Sequence, residues 1–250
     1  MDEHKHACNF INRVGEIGYT RFGTPMKIIE YNSGGDITIE FQDEHRVIKH
    51  CSYGKFILGS AKNPYDKSIY REGYIGEYAP TKINKKEVKA YRIWKGIIRR
   101  CYSDEIKNTH VAYEGCSVSE EWKNYSNFYT WYTNNFYNCS SEVEVDKDIF
   151  INNNKVYSEQ TCLIVPGEIN KFCQKSKNIG CYPSSSKKRW YARLQHSGEM
   201  IHIGVFDDTL EAQLAFLTLK NKIFQDLVDK YRKEVPPELY TKLKSSTIVG

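Results

Sequence analysis

The sequence contains no run of 18 or more apolar residues, so no membrane-spanning helix is expected. Its opening stretch, MDEHKHACNF, lacks the apolar core of a secretory leader and carries Asp2 and Glu3. The eight cysteines never form a C-x-x-C pair. That argues against a zinc knuckle and points to a reducing, intracellular setting. Cys101, Cys116, Cys139, Cys162 and Cys173 follow no usual zinc spacing and read as buried free thiols. A large net charge is also missing. The formal value is +5 over 250 residues, so the placement of charge informs more than its sum. The 19 tyrosines fit a general Tyr, Asn and Lys richness, as an AT-rich genome would give, and carry little functional weight.

What is present supports real cores. Apolar residues make up 40% of the chain, whose length allows one large domain or two to three small ones. Short alternating runs fill the first part. Met26–Tyr31, Asp36–Phe41 and Arg46–Cys51 read as strands, the first two joined by the turn-forming NSGG. This predicts a small β-barrel or β-sheet domain over residues 1–75. Residues 66–81 show no periodicity and read as a linker.

A basic helix is expected next. Val88, Tyr91, Trp94, Ile98 and Cys101 recur at helical spacing, and Asn84 can cap the start. Lys85, Lys89, Arg92, Lys95 and Arg99 line the other face. Between Lys82 and Arg100 there are eight Lys or Arg and one acid, Glu87. Such a face is most often solvated surface, but this one-sidedness favours phosphate contact. A second helix is predicted from Ser119 to about Asn134, with Trp122, Phe128 and Trp131 facing the core rather than stacking on bases.

Near the C-terminus, WYARLQ and MIHIGVF read as two strands joined by HSGE. A helix follows with Asp208 or Thr209 as its cap, Glu211 in its first turn, and a stripe of Ala212, Ala215, Phe216, Leu219, Ile223 and Leu227. Alternation turns Trp190, Ala192, Leu194, Ile201 and Ile203 toward the helix. Tyr191, Arg193, Gln195, Met200 and His202 then face outward. Arg and Gln can form paired hydrogen bonds with guanine and adenine edges in the major groove. Lys187, Lys188 and Arg189, in the preceding turn, suit phosphates. The bland alternative is an ordinary wet sheet face.

Gly180, Trp190, Ala192, Leu194, Ile201, Gly204, Phe206, Glu211, Ala212 and Ala215 resemble the pattern of the APETALA2-type DNA-binding domain over roughly residues 178–230. The resemblance implies a three-stranded sheet laid in the major groove with a helix behind it.

A second resemblance lies in the middle. YRIWKGIIRRCY, then YEGCSVSEEWKNYSNFYTWY, then VDKDIFINNNKVYSEQTCLIVPGEIN are similar to a phage-type HNH endonuclease module. That family holds one divalent metal on two strands and a helix, and a histidine takes a proton from the attacking water. The resemblance assigns Asp146 as the strand carboxylate, Asn170 as the helix ligand, and Asn152, Asn153 and Asn154 as the polar turn. It implies Mg²⁺ or Mn²⁺ on Asp146 and Asn170 if the chain is catalytic. The base position holds Lys147. An ammonium with an ordinary pKa near ~10.4 takes no proton at neutral pH. As a cation, Lys147 could contact a phosphate or stand in for a metal. His110 and Tyr157 are the other candidate bases.

The expected architecture is therefore α+β. A small β-rich N-terminal domain is followed by an HNH-like ββα domain over 82–175, a three-stranded sheet plus helix over 176–232, and a tail over 233–250. The resemblances together imply a phage or mobile-element protein acting in the host cell cytoplasm on double-stranded DNA. Metal-dependent cleavage is the alternative, and a protein partner on the same surfaces is a further one.

Overall fold

A computed structural model describes residues 11–110, 113–149, 151, 154–174, 180–184 and 188–247. The fold is mixed α+β, with several small sheets and interspersed helices. Among the described residues no helix is long and apolar enough to cross a membrane. The chain forms two compact units, residues 1–114 with 120–129, and residues 115–119 with 130–250.

The first unit opens with an antiparallel meander in the order β1 (Ile17–Tyr19), β2 (Pro25–Ser33), β3 (Asp36–Phe41), β4 (Ile48–Cys51). Its inward positions, Met26, Ile28, Ile37, Ile39 and Phe41, bury against Phe56 and Ala61. Phe56 comes from the short helix α1 (Tyr53–Ile57), capped by Ser52. Gly18 is glycine for a reason, since a Cβ there would meet the Phe56 ring at 2.9 Å.

Residues 66–81 are not a bare linker. Asp66 is buried and accepts a hydrogen bond from Thr24 Oγ1 at 2.5 Å. Tyr74 bridges to Asn124, and Ser126 N–H donates to the carbonyl of Ile75. The lack of periodicity hid a strap held by backbone bonds. Next, β5 (Lys82–Ile83) and β6 (Lys86–Glu87) form a tight hairpin. Its turn residues, Asn84 and Lys85, adopt φ of 50° and 66°. Asn84 is thus a turn residue rather than a helix cap, as its tolerance of left-handed backbone permits.

Helix α2 (Lys89–Tyr102) starts after Val88 and buries Ala90, Trp94, Ile97, Ile98 and Cys101. α3 (Asp104–Thr109) follows. The predicted helix from Ser119 is broken at Asn124 into α4 (Glu120–Lys123) and α5 (Tyr125–Asn135). The break is where Tyr74 pairs, and Asn124 Oδ1 accepts from Ser126 N–H at 2.9 Å. The aromatic residues pack inward as expected. Trp94 Nε1 donates to the carbonyl of Trp122 at 2.7 Å, and Trp122 meets Phe128 edge-on at 4.9 Å.

The second unit contains two small layered assemblies. In one, β8 (Val143–Asp146) pairs antiparallel with β10 (Leu163–Pro166), which runs into α6 (Gly167–Cys173). β7 (Ser117–Val118) pairs in parallel with β9 (Val156–Tyr157) beside them. In the other, β11 (Cys181–Pro183), β12 (Trp190–His196) and β13 (Glu199–Phe206) form an antiparallel sheet backed by α7 (Thr209–Lys230). Asp208 is the cap of α7, accepting from Leu210 and Glu211 N–H at 3.1 and 3.2 Å.

The stripe expected on α7 rotates along its length. Ala212 and Phe216 serve the sheet, together with Cys181, Ala192, Trp190, Ile203 and Phe206. Phe224, Leu227 and Val228 instead share a core with Val165 and Ile169 of the β10–α6 segment. The segment expected as a tail also joins this core. α8 (Pro237–Lys244) buries Leu239 and Leu243 there. Pro237 at its first position, where a missing N–H costs nothing, starts that helix.

Candidate functional site

The β8–β10 hairpin is built as a strand pair ending in an Asx turn. Asp146 Oδ1 accepts from Asp148 N–H at 2.8 Å and Ile149 N–H at 2.7 Å. Burial raises the Asp146 carboxyl above its ordinary value against the pull of those bonds. Both bonds fall on Oδ1, so Oδ2 is left to meet another partner.

Lys147 follows directly after the strand, in the turn. It is only 6% exposed. Its ammonium donates to both carboxylate oxygens of Asp148, at 2.6 and 2.7 Å, and to the carbonyl of Asn154 at 2.6 Å. The ring of Tyr157 lies 5.5 Å from it. Asn154 closes the loop by donating to the carbonyls of Lys147 and Val156. A lysine has three N–H donors and, while charged, no lone pair. The geometry therefore makes Lys147 a tie between the strand and its turn. Asn154 belongs to this tie, while Asn152 and Asn153 lie outside the described residues.

Asn170, on α6, is 7% exposed. Its Nδ2 donates to Glu144 Oε2 in a short contact, and its Oδ1 is buried without a partner among the described residues. Glu144 was missed in the sequence. The available signal was its i, i+2 relation to Asp146, which sets both carboxylates on one face of β8. Cys173 lies one turn beyond Asn170. Burial raises its thiol to about 12, with the nearby Asp146 charge adding to the shift. Cys162 is raised to about 12 in the same way. The cysteines among the described residues are all free thiols.

Among these residues no group of three or more His, Cys, Asp or Glu is arranged to hold a metal ion. The oxygen donors Asp146 and Asn170 do suit a hard cation such as Mg²⁺ or Mn²⁺ in type. The orphaned Asn170 Oδ1 is the observation in favour.

The outer face of the C-terminal sheet is arranged in the opposite manner. Ala192 and Leu194 are buried, and Arg193 and Gln195 are exposed. Across the ladder Tyr191 pairs with Val205, Arg193 with His202, and Gln195 with Met200. A bulge between Ala192 and Arg193 skips Ile203. Ile203 and Gly204 consequently both lie on the inner side, and His202 and Met200 turn outward beside Arg193 and Gln195. Plain alternation gives the same positions for Met200 and His202 but would send Val205 inward, whereas it is exposed. Gly204 was the sequence signal for a bulge. The Arg193 guanidinium stands 5.6 Å from the Tyr191 ring, and His202 lies 6.2 Å from the same ring. Ser197 and Gly198, with φ of 52° and 84°, form the two-residue turn that HSGE announced.

The basic residues fall on several different elements. Lys188 and Arg189 are exposed just before β12, with Arg189 Nε on Asp207 Oδ1 at 2.9 Å. Lys187 lies outside the described residues. In the first unit, Lys85 sits at the β5–β6 tip, and Lys89 and Arg92 fall in the opening turns of α2. Arg99 is paired with Glu105 at 3.1 Å, and Lys95 with Glu87 at 3.0 Å. Of the remaining base candidates, His110 hydrogen-bonds Thr109 at 2.7 Å, and Tyr157 is buried beneath the Lys147 ammonium.

No family model, curated protein or solved structure matches the chain.

Proposed function

We propose that this chain binds double-stranded DNA at preferred sites, using the outer face of β12 and β13 as the reading surface. The observation that carries this reading is the clustering of Tyr191, Arg193, Gln195 and His202 on one exposed face. A two-stranded ribbon fits the major groove, and Arg and Gln are the side chains that pair with guanine and adenine there. Lys188 and Arg189 flank that face and suit phosphates. Lys85, Lys89 and Arg92 of the first unit would add phosphate contacts. The hairpin then serves as an HNH-like scaffold of the phage or mobile-element kind. Its base position is occupied by a lysine committed to Asp148 and Asn154.

The test is fluorescence anisotropy on duplex DNA over a salt series. Neutralised phosphates must make log affinity fall linearly with log salt. Undetectable binding, or binding indifferent to salt, would overturn the reading.

The second reading is a metal-dependent endonuclease, favoured by the unpartnered Asn170 Oδ1. Asp146 and Asn170 would hold the ion, which when bound would stabilise charge on the cleaved phosphate. Plasmid cleavage with Mg²⁺ or Mn²⁺ that disappears in Asp146→Ala would establish it. Cleavage that persists in that variant would reject the assigned ligands.

A further inference from the structure

One exposed residue of β13 serves no packing role in the fold. Met200 is 57% exposed on the outer face of the sheet, one pair from the Ser197-Gly198 turn, an apolar side chain beside Arg, Gln and His. It packs into neither described core cluster of this unit. Its cross-strand partner is Gln195. Directly opposed residues on one face of an antiparallel pair stand close enough for long side chains to touch the same object.

An A·T pair presents two kinds of feature in the major groove. Adenine offers the N7 acceptor and N6 donor that a glutamine amide pairs with. Thymine offers a methyl group that takes apolar contact. Gln195 and Met200 supply those two complements from facing positions. Methionine suits the second task because its unbranched thioether adapts to a shallow target.

Resting on the DNA-binding reading above, we propose that Met200 is a specificity residue. It contacts the thymine methyl of the same base pair whose adenine is read by Gln195. Together the two residues define both the identity and the orientation of one A·T pair. Arg193 and His202 form the neighbouring row, about 7 Å along the strand, which is the rise of about two base pairs.

The experiment first selects a preferred duplex from a random pool using the full chain. Each thymine is then replaced in turn by deoxyuridine, which lacks only the methyl. Each adenine is replaced by 7-deazaadenine, which lacks N7. One thymine is expected to be sensitive, its loss of methyl weakening binding about fourfold, the equivalent of one methyl group withheld from an apolar contact. Met200→Ala should abolish that sensitivity and leave the others unchanged. The sensitive adenine lost in Gln195→Ala should be the partner of that thymine. The ratio of affinities for the two duplexes is internal to each variant, so a partly unfolded preparation does not imitate the result. Binding with no sensitive thymine overturns the proposal, as does a uracil penalty that survives Met200→Ala. Sensitive bases falling on different pairs overturn it too. In each case the DNA reading stands. A chain that selects no duplex at all removes that reading and this proposal with it.

Discussion

Two hairpins in the same unit use polar residues in opposite ways. In the β8–β10 hairpin, the charged residues that suggest chemistry are engaged by the fold, with Asp146 Oδ2 the oxygen left over. Lys147 is locked on Asp148 and Asn154, and Asp146 closes its own turn. In the β12–β13 hairpin, Arg193 and Gln195 project outward, and the Arg193 guanidinium stands 5.6 Å from the Tyr191 ring. A sequence motif marks the first hairpin more strongly. Unspent hydrogen-bonding capacity marks the second. The difference teaches that charged residues in a suggestive pattern can be tied up by the fold, while a plainer hairpin keeps donors and acceptors that the fold leaves unused.

The largest effect should come from the first hairpin, and it should be one of stability. Lys147→Ala removes a buried ammonium, strands the Asn154 carbonyl and opens space over Tyr157. Because Asp148 is half exposed, the cost should lie near the low end for a broken buried pair, about 2–3 kcal/mol in urea titration. An unchanged midpoint would break the comparison. Arg193→Ala should do the reverse. Folding stability should stay within about 0.5 kcal/mol of the parent. Affinity for the preferred duplex should fall about ten- to a hundredfold, the value of a paired contact to a base. Equal weakening on every sequence would demote Arg193 to a phosphate contact.

Smaller changes sharpen the same contrast. Asp208→Ala removes the cap of the helix behind the C-terminal sheet and should cost about 1 kcal/mol, with little change in affinity for duplex DNA well below the melting temperature. Glu168→Gln tests a partly exposed tie to Lys230 and Tyr231. Those bonds hold the Glu168 carboxyl below its ordinary value. Its contribution is therefore present above the unfolded pKa of about 4.3 and is lost as pH falls through the lower folded value. Solvent screening limits it to about 0.5 kcal/mol. Denaturation at pH 7 and at pH 3 should show the difference between parent and variant shrinking in acid.

Much of the sheet face was legible in the sequence because it rests on alternation and a turn, both local. Ala192 and Leu194 inward, Arg193 and Gln195 outward, and the turn at Ser197-Gly198 all follow from neighbouring residues. The aromatic stripe of Trp94, Trp122 and Phe128 was legible for the same reason. Features that depend on distant partners were not. The strap over residues 66–81 is held by Asn124 and Ser126, far along the chain. Lys147 can be understood only once the carbonyl of Asn154 is brought to it. Glu144 gains its interest from Asn170 in another element. The helix at Pro237–Lys244 was hidden because its amphipathic span is short, and its core partners lie on α7 and β10.

α7 has 22 residues, a rod of roughly 33 Å. Its first half serves the sheet, and its second half completes the core beneath the hairpin. The chain therefore cannot be trimmed to its C-terminal sheet without a penalty. A fragment beginning near Gly180 would strip Val165 and Ile169 from the core around Phe224, Leu227 and Val228, leaving only the segment that ends in α8 to cover it. An engineer wishing to transplant the sheet would have to carry the hairpin with it, or recode one side of a single helix.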